Sequence, residues 1–577
     1  MLRRVLTFVD ERSGLGAWLK EAAESPLPGG ASWARSFGAV TLALIGLEAL
    51  TGIALGAWYS PSVTDAWASV HYIEYQVFMG SLVRGLHHFG GNALIVMALL
   101  HFIQALVWGA YRAPRELTWV TGLLVLQVLI VISHTGYLLP NDLRAYWATQ
   151  VLLGIAGNQP VVGAPAQTVI QGGPAFGNAT LTHLYALHVL LLPAALALLL
   201  GVHLKLRKRH GAEAPPGAAQ TDSTTIKRTP YWPTQAARDA AMTAATFVGL
   251  FVYTSANGGV ELGAPGDPAV EYVARPEWYF LPIFQLRHWF TGSTEFIATA
   301  GLPGVAVGAL CGLPFVYPRL QKKLPKAHAL IVAGVLGGLV GAIGLGGMTA
   351  WADANDQKAI ETNLKAEKIA HEAHRLAMIG VPVSGPLELY KNDPLVWGAR
   401  VFLRECAACH SDCTEKPFKG VVCMNGYAGR AWLTTFLKDP HAPHYFGNTK
   451  IDEMDAFTGG DEKAKAIVEF VYSEGARTDV NAELAAKGRT LFDKEGCESC
   501  HTLDDEGSGT APALKGYASE KWLEAFIRTP DAARFYGELN EMDSFPHEKL
   551  DKSELSAVIA YLRAQAAEPL NFAVTTP

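Results

Sequence analysis

Apolar and polar positions along this 577-residue chain fall into long blocks rather than short alternations. Seven stretches, roughly 37–58, 80–109, 117–138, 179–204, 238–255, 294–317 and 328–350, are strongly apolar and carry little or no charge. Each approaches the ~20 residues that an α-helix needs to cross hydrocarbon, so each predicts a transmembrane helix. The fifth is the shortest. Beyond 350 the pattern becomes that of polar, amphipathic helices. Residues 351–377 ("WADANDQKAIETNLKAEKIAHEAHRLA") predict a charged helix, which "GVPVSGP" at 380–386 interrupts. Two related units follow: "GYAGRAWLTTFLKDPHAPHYFGNTKIDEMDAF" (426–457) parallels "GYASEKWLEAFIRTPDAARFYGELNEMDSF" (516–545), a tandem duplication.

Composition sharpens the division. Half of the residues are hydrophobic and 17% are charged, which is apolar for a soluble chain of this length. Residues 1–350 hold 22 Lys+Arg against 17 Asp+Glu; residues 351–577 hold 25 against 36. The last 127 positions carry 25 acids and 13 bases, a face suited either to a basic redox partner or simply to water. No nucleic-acid partner is expected. Basic runs follow the second span ("YRAPR", 111–115), the fourth ("KLRKRH", 205–210) and the sixth ("YPRLQKKLPK", 317–326). Basic loops stay in the cytoplasm, so the N-terminus is predicted there and the region after 350 on the periplasmic side of a bacterial inner membrane. "MLRRVLTFVDERSGLGAWLKEA" reads as an interfacial amphipathic helix rather than a cleaved signal. The expected organisation is an interfacial helix (1–36), a four-helix block (37–211), a cytoplasmic linker (212–237), a three-helix block (238–350), a linker helix and hinge (351–395), and two repeats (396–480 and 481–577).

Histidines supply the first chemistry. His87 and His101 lie 14 apart on the second span; His188 and His203 lie 15 apart on the fourth. At ~1.5 Å per residue each pair is separated by roughly 21–23 Å along its helix. Both spans run inward, so His87 pairs with His188 near the outer face and His101 with His203 near the cytoplasmic face. That arrangement suits two non-covalent haems (haem b), each with two histidine ligands. Gly38 and Gly52 on the first span, and Gly122 and Gly136 on the third, repeat the 14-residue interval, as if to let a backbone approach the macrocycle. Arg84, one turn before His87, is a candidate partner for a haem propionate, with a plain interfacial arginine as the alternative.

The repeats carry a second kind of site. "CAACH" (406–410) and "CESCH" (497–501) are attachment signatures for haem c: Cys406 and Cys409, then Cys497 and Cys500, supply thioethers, while His410 and His501 are axial ligands. Zinc would require further Cys and His at suitable spacing. Met454 and Met542, each in an "EMD" triplet of the repeat, are the expected distal ligands; Met424 is a weaker candidate. A thioether ligand raises a haem's potential relative to two histidines, which suits an outgoing electron. Cys413 and Cys423 are either a disulfide, permitted outside the cytoplasm, or two free thiols.

"RGLHHFGG", "YRAPRELTWVTG", "TGYLLPNDLRAYWA", "TLTHLYALH" and "RPEWYFLP" resemble the cytochrome b of quinol-oxidising bc complexes, and most closely the bf type. The resemblance covers residues 30–320. It implies an all-α fold: a seven-helix transmembrane haem-binding bundle, here followed by two small α-helical cytochrome c domains whose methionine loops resemble class I cytochromes c. Asp455 and Asp543 stand where that class usually has proline. In the bf type the four-helix and three-helix blocks are separate polypeptides; here they are fused. Ser36 occupies the position where the bf type attaches an extra haem through cysteine, so no covalent haem is expected there.

By the same resemblance, Glu277 in "ARPEWYFLP" lines an outer quinol-oxidation pocket and takes a proton from quinol, with Tyr279 and Tyr137 as pocket walls. An acid capping a helix beside Arg275 is the plain alternative. The family implies a separate Rieske iron–sulfur subunit, a homodimeric complex, quinone as substrate, and a cytochrome c or oxidase as acceptor. His134 falls outside the recognised motifs and either touches the outer haem or its pocket or is a satisfied interior histidine, and His88 is expected to pack rather than ligate; Lys208, Arg209 and His210 are candidates for a cytoplasmic quinone-reduction site, with a plain basic membrane-flanking run as the alternative. The function this predicts is a membrane quinol:electron-acceptor oxidoreductase subunit that bifurcates electrons and translocates protons. The alternatives are a non-bifurcating dihaem b/c cytochrome linking a dehydrogenase to the quinone pool, and a haem-bearing scaffold or sensor.

Overall fold

The computed structural model describes residues 8, 10–217, 228–410, 421–508 and 511–567. Residues 1–7 and 9 of the leading segment, residues 218–227 of the linker, and Cys413 lie outside the described residues. Two compact units emerge: one holds nearly all of residues 1–366, the other essentially residues 367–577.

The first unit is a helical bundle. Its long helices are α1 (Ser36–Gly56), α2 (Gly80–Trp108), α3 (Glu116–Leu138), α4 (Asn178–His210), α5 (Thr234–Ala256), α6 (Leu302–Lys323) and α7 (Ala327–Asn355). Among the described residues, six helices are long and apolar enough to cross a membrane; α5 is not one of them, and its first turns carry Arg238 and Asp239. It nevertheless belongs to the bundle, lying against α1 and α2 and placing Leu250 in the central cluster with Leu44, Ile95, Leu129 and Leu196. A second cluster, around Tyr111, Trp119, Leu123 and Tyr317, ties α6 and α7 to α2 and α3. Among the described residues the strand content is slight: Pro26–Pro28 pairs antiparallel with Arg228–Pro230, joining the segment before α1 to the linker before α5. Short helices Ala66–Tyr75, Leu143–Gly157 and Leu281–Trp289 pack beside the long ones.

One departure from regular geometry has a direct consequence. Within α4, Leu187–Leu191 form a π-turn, and His188 sits in it. A π-turn accommodates one extra residue in an α-helix. The 15-residue interval from His188 to His203 therefore behaves as a 14-residue one, matching His87 and His101 on α2. This explains an inequality that spacing alone left unexplained.

The second unit contains both repeats. Its helices are α8 (Pro394–Glu405), α9 (Arg430–Lys438), α10 (Asp461–Glu474), α11 (Ala482–Lys494), α12 (Glu520–Arg528) and α13 (Lys552–Ala567). Sequence duplication led us to expect two separate small domains, but the repeats share one core, with Val401, Trp432, Phe470, Phe492, Trp522 and Leu562 in a single cluster. The helices pair across the repeats: α8 packs on α13, and α11 on α10. Glycine makes both crossings possible. A Cβ at Gly398 would collide with the Ala557 carbonyl, and one at Gly488 with that of Ala466. Gly488→Ala should cost about 1–3 kcal/mol through this overpacking, measured as a lower midpoint for thermal loss of the unit's helical signal.

Candidate haem and quinol sites

The four bundle histidines are presented by α2 and α4, and each ring rests against a glycine of a neighbouring helix. A Cβ on Gly52 would stand 3.1 Å from His87 Cε1, on Gly38 3.0 Å from His101, on Gly122 3.0 Å from His203 and on Gly136 2.5 Å from His188. The expectation that these glycines face a macrocycle is thus refined: what each must admit is an imidazole ring.

Hydrogen bonds then select the tautomer. His188 Nδ1 donates to the Ile132 carbonyl (2.9 Å) and His203 Nδ1 to that of Thr118 (3.0 Å). A carbonyl only accepts, so the hydrogen sits on Nδ1 and the Nε2 lone pair is left for a metal. His87 is held differently, with Thr51 Oγ1 at 2.9 Å and the Glu48 carboxylate at 3.0 Å from Nδ1. Glu48 had no role in the sequence reading. Its signal was the same as that of Glu277, an acid in apolar surroundings.

Geometry tests whether haem fits. The rings of His87 and His188 face each other with centroids 6.1 Å apart and planes at 87°. Two bonds of about 2.0 Å to a central iron, plus roughly 1.1 Å from each Nε2 to its ring centre, total about 6.2 Å. The pair fits one six-coordinate iron. The second pair, His101 and His203, has matching supports from Gly38 and Gly122.

Arg84, a candidate for a propionate, is engaged by protein: Nη1 donates to Glu74 Oε2 and to the Val260 carbonyl, both at 2.6 Å. At the far end of α4, Lys208 pairs with Glu21 at 2.9 Å.

Glu277 precedes a short 3₁₀ turn, Trp278–Phe280. Arg275, the alternative partner, is instead taken up by Asp353, with Nε–Oδ2 2.7 Å and Nη2–Oδ1 2.5 Å. Burial pushes the Glu277 carboxyl above its ordinary range, while the Arg144 charge pulls the other way. Tyr137 donates its hydroxyl to the Arg275 carbonyl (3.1 Å), and Tyr279, its phenol raised first by burial and then by the charge of Glu277, bonds Ser133. These contacts bring "RPEWYF" against the end of α3. His134 joins them: its ring lies parallel to Tyr137 at 6.5 Å and edge-on to Phe280 at 5.0 Å, with Nδ1 buried and unbonded among the described residues.

In the second unit both attachment histidines are oriented alike. His410 Nδ1 donates to the Val422 carbonyl (2.8 Å) and His501 Nδ1 to that of Pro512 (3.0 Å), again leaving Nε2 for iron. Cys406, Cys409, Cys497 and Cys500 are free thiols beside them, the pair-forming spacing preserved. Met454 is half-buried, and Met542 and Met424 pack against the shared core. Cys423 is disulfide-bonded, whereas Cys413 lies outside the described residues.

Paired membrane imidazoles at iron-spanning distance, beside C-x-x-C-H repeats, define a membrane cytochrome of mixed b and c type. The family model described as Cytochrome b(N-terminal)/b6/petB matches residues 92–265, and that of cytochrome c matches residues 485–566. The cytochrome b subunit of the menaquinol:cytochrome c reductase of Bacillus subtilis (strain 168) is 36% identical over 223 residues, covering 37% of this chain and all of the relative. Cytochrome b6 of Synechococcus sp. (strain JA-3-3Ab) is 34% identical over 214 residues, with the same coverage. Cytochrome b of Cereibacter sphaeroides is 29% identical over 316 residues, covering 50% of this chain and 69% of the relative. Among solved structures, a chain of a "Hyperthermophilic respiratory Complex III" has a TM-score of 0.50 at 23% identity, covering 63% of this chain and 98% of that one. The chain belongs to the cytochrome b family, in fusion with a cytochrome c region.

Gly136→Ala should displace the His188 ring. We expect loss or a spectral shift of one b haem with the other intact, read from dithionite-reduced minus oxidised spectra and pyridine haemochrome content. Retention of both unperturbed b haems would show that the ring tolerates the methyl group.

Proposed function

We propose that the chain is the electron-carrying subunit of a quinol:electron-acceptor oxidoreductase in a bacterial inner membrane. The observation that supports this best is the His87–His188 pair at 6.1 Å, with His101 and His203 following 14 and 15 residues further along the same two helices. Oxidation of a quinol yields a quinone, two protons and two electrons. The b haems, when bound, offer two successive one-electron stations across the bilayer.

The chain's own residues divide the remaining work. Glu277, already poised by burial toward protonation, accepts one quinol proton and passes it to outer water. Tyr137 and Tyr279 fix the "RPEWYF" segment against α3, so that the carboxyl keeps its place in the apolar pocket. The paired imidazoles hold the b-type stations apart along α2 and α4, which separates the site of quinol oxidation from a cytoplasmic site of quinone reduction. His410 and His501 anchor the outward stations. The C-terminal region lies on the periplasmic side in this reading, with seven helices, α5 included, crossing the membrane. The second quinol electron reaches the c region through a separate Rieske subunit, because no C-x-H/C-x-x-H pair in this chain could hold such a cluster. Division of the electrons and release of protons outward give net proton translocation. A dimeric assembly and an acceptor such as a cytochrome c or an oxidase complete the reading.

Glu277→Gln should lower quinol-dependent reduction of the c haems by about 10²–10⁴-fold, the usual worth of a positioned base, with haem content unchanged. Because only the carboxylate accepts a proton, wild-type turnover should fall as pH drops through the raised pKa of Glu277, and the variant should lose that limb. Equal turnover of the two proteins across the pH range would remove Glu277 from the reaction. Separately, His101→Leu should delete the cytoplasmic-side b haem alone, leaving one b and two c haems by pyridine haemochrome assay.

A further inference from the structure

In a self-contained repeat, the helix before C-x-x-C-H is covered by the helix that closes the same repeat. Here the partners are exchanged. α8, which leads into Cys406, packs on α13 at the end of the second repeat, and α11, which leads into Cys497, packs on α10 at the end of the first. Ion pairs sit at the same point of both crossings. Arg404, two residues before Cys406, meets Glu554 at the start of α13 (2.7 Å); Glu495, two residues before Cys497, meets Lys463 at the start of α10 (2.7 Å). The far ends agree. A Cβ on Gly429 would stand 2.5 Å from the Ala566 carbonyl, and Gly516 N donates to Glu474 Oε2 at 2.9 Å.

The methionine segments travel with the closing helices. Arg528 of α12 donates to the carbonyls of Phe545 and Leu550, both at 2.7 Å, clamping the Met542 segment between α12 and α13. In the first repeat Phe457 N donates to the Leu437 carbonyl of α9 (2.9 Å), and Arg430 of α9 grips Glu469 of α10 (2.7 Å). Each repeat is therefore two blocks, an attachment half and a methionine half. They meet at Ala428 and Ala518, both with left-handed φ, +57° and +58°. Contacts of Trp432 Nε1 with the Cys423 carbonyl (3.2 Å) and of Cys423 N with that of His444 (2.9 Å) tie the two halves beside this crossover.

We infer that each haem c site is assembled from both repeats: Met542 is the sixth ligand opposite His410, and Met454 the sixth ligand opposite His501. This rests on the reading of both C-x-x-C-H motifs as haem attachment sites and reverses the pairing suggested by order along the chain. Neither repeat then builds a complete site alone.

The test uses the full chain with one haem attachment removed, C497S/C500S, so that its only c haem is at His410. Covalent attachment is first established by haem-peptide mass; absence of covalent haem would sink the attachment reading rather than the pairing. In this background M542A should abolish the red charge-transfer band of methionine-ligated ferric haem, and M454A should leave it. A chain that keeps the band with M542A, or loses it with M454A, overturns the pairing. A second measurement uses the chain carrying both haems. Arg404 and Glu554 meet across α8 and α13, so R404C/E554C should be joined by a short bis-maleimide cross-linker, seen by peptide mapping. If the two positions stay unlinked although each thiol reacts with a monofunctional maleimide and α8 and α13 remain helical, the exchanged arrangement is wrong.

Discussion

Imidazole against glycine is the contact on which the membrane unit depends. Four rings project from α2 and α4, and each occupies the space that a side chain on α1 or α3 would fill. Three of the rings, those of His87, His188 and His203, also have Nδ1 engaged by a carbonyl, a threonine or a carboxylate, which leaves their Nε2 lone pairs free. In an apolar interior an unspent nitrogen is costly, so such preorganisation calls for a metal.

The same economy governs the acids of the bundle. Glu48 and Glu277 both sit in apolar surroundings, yet they are used differently. Glu48 touches the ring of His87, which binds it into the support of an axial ligand. Glu277 has no such partner: Arg275 beside it is occupied by Asp353, and Arg144 acts on it only through its field. A carboxyl left without a firm ion pair is free to gain and lose a proton, the property that quinol chemistry requires.

The c region follows another logic. A small repeat has little core of its own, and burying a helix against the neighbouring repeat enlarges the shared interior. The aromatic cluster that joins Trp432, Tyr427, Tyr517 and Trp522 is continuous from one repeat to the other. Fusion of two copies in one chain makes such an exchange accessible, because the linker between α10 and α11 is only seven residues long and keeps these two helices adjacent.

Long apolar runs, matched histidine and glycine intervals, and C-x-x-C-H mark the long helices, the candidate ligands and the b and c regions in the sequence alone, because each depends on local composition or on helical periodicity. Hydropathy left α5 ambiguous, since its polar first turns weaken a signal that packing against α1 and α2 makes plain. The π-turn at His188, the support of His87 by Glu48, the approach of His134 to Phe280 and the engagement of Arg84 by Glu74 were invisible, because each joins residues far apart in the chain or bends a helix without a local mark. Duplication likewise told that two repeats exist but not how they pair. Two nearly equivalent closing helices can satisfy either attachment helix, and only the tertiary structure, through which core each one completes, decided between them.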